Sequence, residues 1–450
     1  MNDERSFRRA QTRFILSSAI VYAFFYLTRK NLSMAQPGML EEGVISTYAI
    51  GTMLSIHGIV YGLSRFVNGF WADRLNGRVF MTVGIALSAL MNLLFGCTSL
   101  SILFAVFWVL NGWTQGMGFP PCAKMLTHWI HPKELATKMS LWNTSHSFGA
   151  VLALGLCSYL LAPEGWTSCL NLGILKIDSI HIRTGWGLDW RWCFYIPAIL
   201  AGLAAVFCFF CVKDSPTEAG VEELEIDGGK KEAESKATVT SAERRRLVFG
   251  NRVIWLIAFA NFFVYIVRFG FLDWGPTFLK QFKGIPVAKG GLMTIAFELA
   301  AVVGTIFAGW VTDKWFKGRG VRTCVFCMLF AALFSFGFWY LPSGAPIWQA
   351  TLLLMGAGFC IYGPQALIGI IAANQATKEA AAMANGFTGI MGYLSTLVSG
   401  IGVAFIKTHY GWGAALCSFA VFAIVGMILF LCAWNSNATG YKRKEKKLVV

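Results

Sequence analysis

Charge is scarce in this sequence. Asp, Glu, Lys and Arg make up 14% of its 450 residues, where soluble domains carry about 25%. Hydrophobic residues make up 56%, and the mean hydropathy is +0.58. That deficit excludes an ordinary water-soluble globule. Short segments of alternating polarity are missing too, which excludes an outer-membrane barrel. No GxxxxGK[ST] run occurs, so ATP is not expected to drive this protein. No nucleophile–base or metal-ligand constellation appears, so the expectation is no enzyme, no cofactor and no metal. The 12 cysteines are scattered, mostly in apolar runs. Cys208–Cys211 and Cys324–Cys327 have CxxC spacing, but no histidine or further cysteine pair accompanies them. They read as small buried hydrophobes rather than a redox or metal site.

What is present is a series of long apolar runs. They fall near 14–36, 47–72, 79–98, 101–129, 138–162 and 192–212, and again near 252–282, 289–312, 322–341, 347–374, 380–406 and 411–433. A membrane-spanning helix needs roughly 20 such residues. The pattern predicts an all-α membrane protein with twelve transmembrane helices in two six-helix bundles. The domains are 1–212, a polar linker 213–250, and 251–450 with a basic tail. The linker carries Glu222, Glu223, Glu225, Lys230, Lys231 and Arg244–Arg246, too much charge for lipid and too little apolar surface to fold alone. The first run keeps Arg29 and Lys30 and lacks a small-residue cleavage site, so it reads as a span rather than a cleaved signal.

The net charge of +15 does not point to nucleic acid, because much of it sits in short loops and tails. Arg74, Arg78, Lys314, Lys317, Arg319 and Arg322 lie in connections on one side. The connection 34–46 carries Glu41 and Glu42 and no Lys or Arg. The positive-inside rule then puts both termini in the cytoplasm. Residues 163–191, with Lys176, Arg183 and Arg191, are long for an external connection and read as a small cap.

Two arginines stand inside these apolar runs. Tyr26-Leu-Thr-Arg29 and Tyr265-Ile-Val-Arg268 share the pattern Tyr-x-x-Arg, 239 positions apart (268 − 29). An arginine at mid-membrane costs about 2.5–3.5 kcal/mol on insertion scales. Two of them at matching places of two half-chains suggest one anion site on a pseudo-two-fold axis. A second repeat has nearly the same offset. Gly69-Phe-Trp-Ala-Asp73-Arg74 and Gly309-Trp-Val-Thr-Asp313-Lys314 are 240 positions apart (309 − 69). Glycine there permits close helix contact, and the Asp and base can bond neighbouring helices in one conformation.

Gly-x-x-x-Asp-Arg/Lys at a helix end resembles the signature loop of the major facilitator superfamily. Tyr26-Leu-Thr-Arg29-Lys30-Asn31, Tyr61-Gly62, Asn111–Cys122, Trp142-Asn143, Tyr265–Arg268, Leu272-Asp273-Trp274, Tyr362-Gly363-Pro364 and Gly386–Tyr393 resemble the organophosphate:phosphate antiporters. These include glycerol-3-phosphate and hexose-6-phosphate exchangers. The resemblance implies a multi-pass protein of a bacterial inner (plasma) membrane, working as a monomer on an organic phosphate and inorganic phosphate. It implies Arg29 and Arg268 as phosphate ligands. It places Tyr22, Tyr26, Tyr61, Tyr265, Tyr362, Tyr393, His146 and Asn143 around the substrate. Arg65 stands where the family usually has lysine, and Phe119 where some members have tryptophan. Lys30, Asp273 and Glu298 take the gating positions.

The chemistry agrees with that assignment. A phosphate monoester, with its second pKa near about 6, is mostly a dianion at neutral pH. Arginine stays charged and its planar fork bonds two phosphate oxygens at once. His146 adds a donor, and a charge when protonated. The open alternative is that Arg29 and Arg268 pair with Asp273 and Glu298 for structure. Two function classes remain: an antiporter exchanging a sugar or polyol phosphate for phosphate, or a transporter-like sensor coupled to a membrane histidine kinase. Lys30 and Asp273 are read as a pair that closes the outer gate, the alternative being a permanent structural pair. Lys30→Asp and Asp273→Lys should each impair transport, and the double swap should restore part of it. A double variant no better than either single one, in a liposome uptake assay, would count against pairing.

Overall fold

The computed structural model describes residues 2–130, 132–162, 186–221, 241–376 and 380–436. Most of the expected cap (residues 163–185), most of the linker (222–240) and the basic tail (437–450) lie outside the described residues. The helices are α1 Asn2–Glu41, α2 Thr47–Arg74, α3 Gly77–Cys97, α4 Ser101–Gln115, α5 Phe119–Trp129, α6 Pro132–Asn143, α7 Ser145–Leu161 and α8 Trp192–Cys211. There follow α9 Ser241–Phe249, α10 Arg252–Lys283, α11 Val287–Lys314, α12 Gly320–Tyr340, α13 Ile347–Gln375, α14 Ala381–Leu394 and α15 Val403–Cys432.

Local chemistry sets several boundaries. Ser46, Asn76 and Asn251 accept from the amides of Ala49, Val79 and Val253, capping α2, α3 and α10. Gly284, at φ 68°, ends α10 in the left-handed conformation that glycine tolerates. Eleven continuous helical stretches are long and apolar enough to cross a membrane. The last, Met383–Cys432, has 50 residues, about 75 Å of helix at 1.5 Å per residue. That is more than twice a bilayer core of about 30 Å. Gly411, at φ 78° and ψ 175°, breaks it into two crossings, giving twelve in all. Two expected single spans are interrupted. The run 101–129 divides at Gly116–Gly118, after which Pro120 and Pro121 start α5 in its first turn. The run 138–162 divides at Thr144, between α6 and α7.

The chain forms two compact units: residues 1–227 with 285–295, and residues 228–284 with 296–450. In the first, Phe14, Tyr22, Phe25, Met81, Met125, Trp129 and Trp142 belong to one apolar core, and Phe14 stacks on Trp129 at 5.0 Å. Behind Arg29 the core turns polar. Thr28 Oγ1 meets Ser88 Oγ at 2.8 Å, and Ser88 Oγ donates to Asn111 Oδ1 at 2.7 Å. Gln115 Nε2 donates to both hydroxyls. The Thr28 carbonyl accepts from Asn92 and Asn111. Asn31 Nδ2 bonds Asn92 Oδ1 and the Cys193 carbonyl, each at 2.8 Å. These groups join α1, α3, α4 and α8 on either side of Arg29. At one end of this unit Asp214 accepts from the Gly77 amide at 2.6 Å, and Glu218 accepts from Asn76. The chain after α8 thus returns to cap α3.

In the second unit α10 packs against α13, α14 and α15. Residues Val398–Gly402 form a π-helical segment, and Trp274 Nε1 donates to the Ser399 carbonyl within it at 2.8 Å. Val248 of α9 packs with Ile254, Ala372, Ala376, Ala380 and Ala384.

The buried polar network generates a stability prediction. Asn92→Leu and Asn111→Leu each leave several buried partners unbonded, at about 1–3 kcal/mol per orphaned group. Both should lower the thermal unfolding midpoint in detergent clearly more than Leu93→Ala, at a position 40% exposed. Equal midpoints for the three variants would refute it.

Candidate functional site

In the first unit the expected residues converge on Arg29. Its guanidinium carbon lies 4.0 Å from the centre of the Tyr61 ring and 5.6 Å from that of Tyr26. Arg65, one turn beyond Tyr61 on α2, lies 5.8 Å from the same Tyr61 ring and 4.4 Å from Phe119. One tyrosine face therefore serves two arginines. An aromatic face attracts a cation by its quadrupole, by roughly 0.5–2 kcal/mol, and leaves the N–H fork available for an anion. Tyr22 stands edge-on to Tyr26 at 5.7 Å and packs on Trp142 at 4.8 Å. Trp142 is anchored by its indole N–H on Ser18 Oγ at 3.1 Å.

His146 completes this wall. Its ring lies 5.5 Å from that of Tyr26, and its Nδ1 bonds the Asn143 carbonyl across the break between α6 and α7. The break is what turns the half-buried imidazole toward α1. Gly149, one turn on, sets the distance. A Cβ there would stand 2.3 Å from the Ala23 carbonyl oxygen and 2.8 Å from Tyr26 Cβ. The α1–α7 crossing exists because that position carries no side chain. Lys30, beside Arg29, is buried. His57, left as structural, stacks on Trp108 at 5.0 Å and bonds its carbonyl at 3.0 Å.

In the second unit Arg268, 8% exposed, has its own aromatic cradle. Its guanidinium carbon lies 4.6 Å from the Tyr362 ring, 5.7 Å from Tyr265 and 5.6 Å from Phe269. Tyr265 packs edge-on to Tyr393 at 6.1 Å. The Tyr362 hydroxyl donates to Glu298 Oε1 at 2.9 Å. Arg268 over the ring and Glu298 at the hydroxyl hold Tyr362 from both ends. This contact exists because α11 and α13 approach closely. A Cβ at Gly304 would be 2.0 Å from the Phe359 carbonyl oxygen, and one at Gly358 would be 2.5 Å from that of Phe297. Glu298, read as a gating charge, is thus bonded within its own unit. Asp273 lies on α10, five residues beyond Arg268, in a different unit from Lys30.

The signature loops close α2 and α11. Lys124 Nζ donates to the Ala72 and Leu75 carbonyls at 3.1 and 3.0 Å, capping the end of α2 that bears Asp73 and Arg74. At the end of α11, Lys314 Nζ lies 5.3 Å from the Trp310 ring, and Thr312 bonds Thr323 at 2.7 Å beside Asp313. Close helix contact at the two loop glycines finds no neighbour: nothing stands within 4 Å of a Cβ built at Gly69 or Gly309. Sequence reasoning missed Lys124, Phe269, the network behind Arg29 and the Glu298–Tyr362 bond. Polar residues one turn apart inside an apolar run, Ser88 and Asn92, were the available signal for the network.

Residues 18–400 match the model of the Major Facilitator Superfamily. The chain is 33% identical to the glycerol-3-phosphate transporter of Bacillus subtilis (strain 168), covering 96% of this chain and 94% of that one. It is 31% identical to a probable hexose phosphate transport protein of Chlamydia pneumoniae, with 98% and 95% covered. It is also 31% identical to the membrane sensor protein UhpC of Escherichia coli (strain K12), with 96% and 94% covered. Among solved structures, a bacterial homolog of the human lysosomal transporter Spinster, inward-facing and unoccupied, aligns with a TM-score of 0.77. Identity is 15%, and 94% of this chain and 97% of that one are covered.

The α1–α7 crossing yields a test of the site's architecture. Gly149→Ala forces a Cβ against backbone, an overlap of the kind that costs roughly 1–3 kcal/mol in a packed interior. It should weaken phosphate-dependent transport about tenfold or more by pushing His146 and Tyr26 apart. Gly202→Ala on α8, where nothing lies within 4 Å, is the control and should transport normally. A Gly149→Ala protein as active as Gly202→Ala would show that this crossing does not position the site.

Proposed function

This chain belongs to the major facilitator superfamily, with organic-phosphate transporters among its relatives, and on that premise we propose that it exchanges a phosphorylated sugar or polyol for inorganic phosphate by alternating access. The observation that carries the reading is the pair of arginine cradles. Each half of the chain sets one arginine of an apolar helix against tyrosine faces, with its donors available to an anion. A phosphate dianion leaving water needs fixed donors in place of its hydration, and two guanidinium forks supply them. One fork from each half, 1–212 and 251–450, makes ligand binding draw the halves together.

Obligatory exchange follows from charge. Closing an empty site brings like charges toward one another, and a bound phosphate or organic phosphate relieves that repulsion. A ligand shifts an equilibrium only by its differential affinity for the two states, so reorientation is favoured when the site is loaded. Lys30 and Asp273 act as the gate in this scheme, His146 and the tyrosines line the substrate, and the signature loops at Gly69–Arg74 and Gly309–Lys314 move with the change of state. The loop charges place both termini in the cytoplasm of a bacterial inner membrane, and a monomer suffices for this cycle. A second reading, a sugar-phosphate sensor signalling to a membrane histidine kinase, draws on the 31% identity to the membrane sensor protein. Catalytic turnover separates the two.

Purified protein in liposomes loaded with phosphate should take up labelled phosphate, glycerol 3-phosphate or glucose 6-phosphate, whereas liposomes without internal anion should accumulate little. Arg29→Lys and Arg268→Lys keep the charge but lose the fork, and each should lower exchange about 10- to 100-fold, the loss of one charged hydrogen bond. Uptake into phosphate-free liposomes as fast as exchange, and abolished with the proton gradient, would establish a symporter instead. Binding without turnover would favour the sensor.

A further inference from the structure

The second unit holds a buried acceptor that neither the packing nor the grip on phosphate uses. Asn261 lies four residues before Tyr265 and seven before Arg268 on α10, so the three share one helical face. It is 4% exposed. Its Nδ2 donates to the Thr388 carbonyl of α14 at 2.8 Å. That bond fixes the orientation of the amide, because turning it round would set two oxygens against each other. Its Oδ1 is buried and has no hydrogen-bond partner among the described residues. A buried acceptor without a donor is disfavoured, and such groups are few in native structures.

The facing helix leaves space there. Gly392 of α14 stands opposite the amide: a Cβ on it would lie 3.0 Å from Asn261 Nδ2 and 3.4 Å from the Tyr265 ring. Nothing lies within 4 Å of a Cβ built on Gly389. Arg268 sits about 10 Å further along the axis, at 1.5 Å per residue. Side chains on a helix lean toward its N-terminus, and the Arg268 guanidinium comes to 5.7 Å from the Tyr265 ring, toward Asn261. The interval left is that of a phosphorylated triose or hexose.

We propose that Asn261 reads the organic part of the ligand, its Oδ1 accepting a hydrogen bond from a hydroxyl of a polyol or sugar phosphate whose phosphate Arg268 holds. The inference rests on the organic-phosphate reading above. The phosphate of a monoester dianion carries only acceptors and does not satisfy Oδ1; a carbon-bound hydroxyl does. Asn261 is therefore a specificity-determining residue. It separates hydroxylated esters from simple alkyl phosphates rather than gripping phosphate.

The test compares the full-length protein with Asn261→Leu, by ligand-dependent thermal stabilisation and by counterflow. The probes are inorganic phosphate, propyl phosphate, glycerol 3-phosphate and glucose 6-phosphate. The parent protein should prefer a hydroxylated ester over propyl phosphate. Asn261→Leu should reduce that preference about tenfold, because a site built to bond a hydroxyl discriminates through that bond. Its losses on propyl phosphate and inorganic phosphate should be much smaller. Gly392→Ala crowds Nδ2 without removing the acceptor and should move the same ratio in the same direction, which covers a poorly folding Asn261→Leu. Equal losses on all four ligands, or an unchanged ratio of hydroxylated to propyl ester, overturn the proposal. Failure of the underlying reading looks different: no phosphate ester would then stabilise or exchange with the parent protein.

Discussion

A guanidinium inside an apolar helix bundle must be solvated by something other than water, and the structure answers that constraint at both arginines. Tyrosine faces take the place of water on one side of the cation. They stabilise it without filling its donors. A carboxylate in direct contact would hold the charge more tightly but would compete with any incoming anion. An aromatic cradle is the weaker solution and therefore the usable one.

The two units meet the constraint differently. In the first, Arg29 and Arg65 lie over the same tyrosine, which concentrates positive charge, and the helix carrying Arg29 is tied by amides and hydroxyls to three others. In the second, Arg268 faces a tyrosine whose hydroxyl bonds a buried glutamate, which offsets part of the charge locally. A chain that repeats itself at an offset of about 240 positions (309 − 69) has thus produced two chemically unlike walls. The first suits a compact, highly charged group. The second, less positive, suits the remainder of a larger ligand.

Much of this was legible in the sequence because it is written in single positions. An arginine in an apolar run is conspicuous, and so is a tyrosine one turn before it. Repetition at a fixed offset needs no knowledge of the fold. The helix count was legible for the same reason, since apolar length alone decides it. What stayed hidden depends on partners from several helices. Nothing local distinguishes Ser88, Asn92, Asn111 and Gln115 as one network, because three helices contribute them and α1 closes it. Sharing of Tyr61 by two arginines, and the bond from Tyr362 to Glu298, are likewise tertiary. The interruptions at Gly116–Gly118 and Thr144 were missed because hydropathy does not register backbone geometry, although the glycines and prolines of the first were in plain view.

The π-helical segment at Val398–Gly402 has a consequence of another kind. A π turn accommodates one residue more than an α turn, and each residue of an α-helix turns the chain by about 100°. The helix before the segment, which sets Tyr393 against Tyr265, is therefore out of phase with the helix after it. The two stretches choose their faces independently, one for the site and one for its surroundings. This phase slip is encoded in the number of residues rather than in their identity. The indole of Trp274, bonded to the Ser399 carbonyl, is the pin that keeps the slip from migrating along the helix.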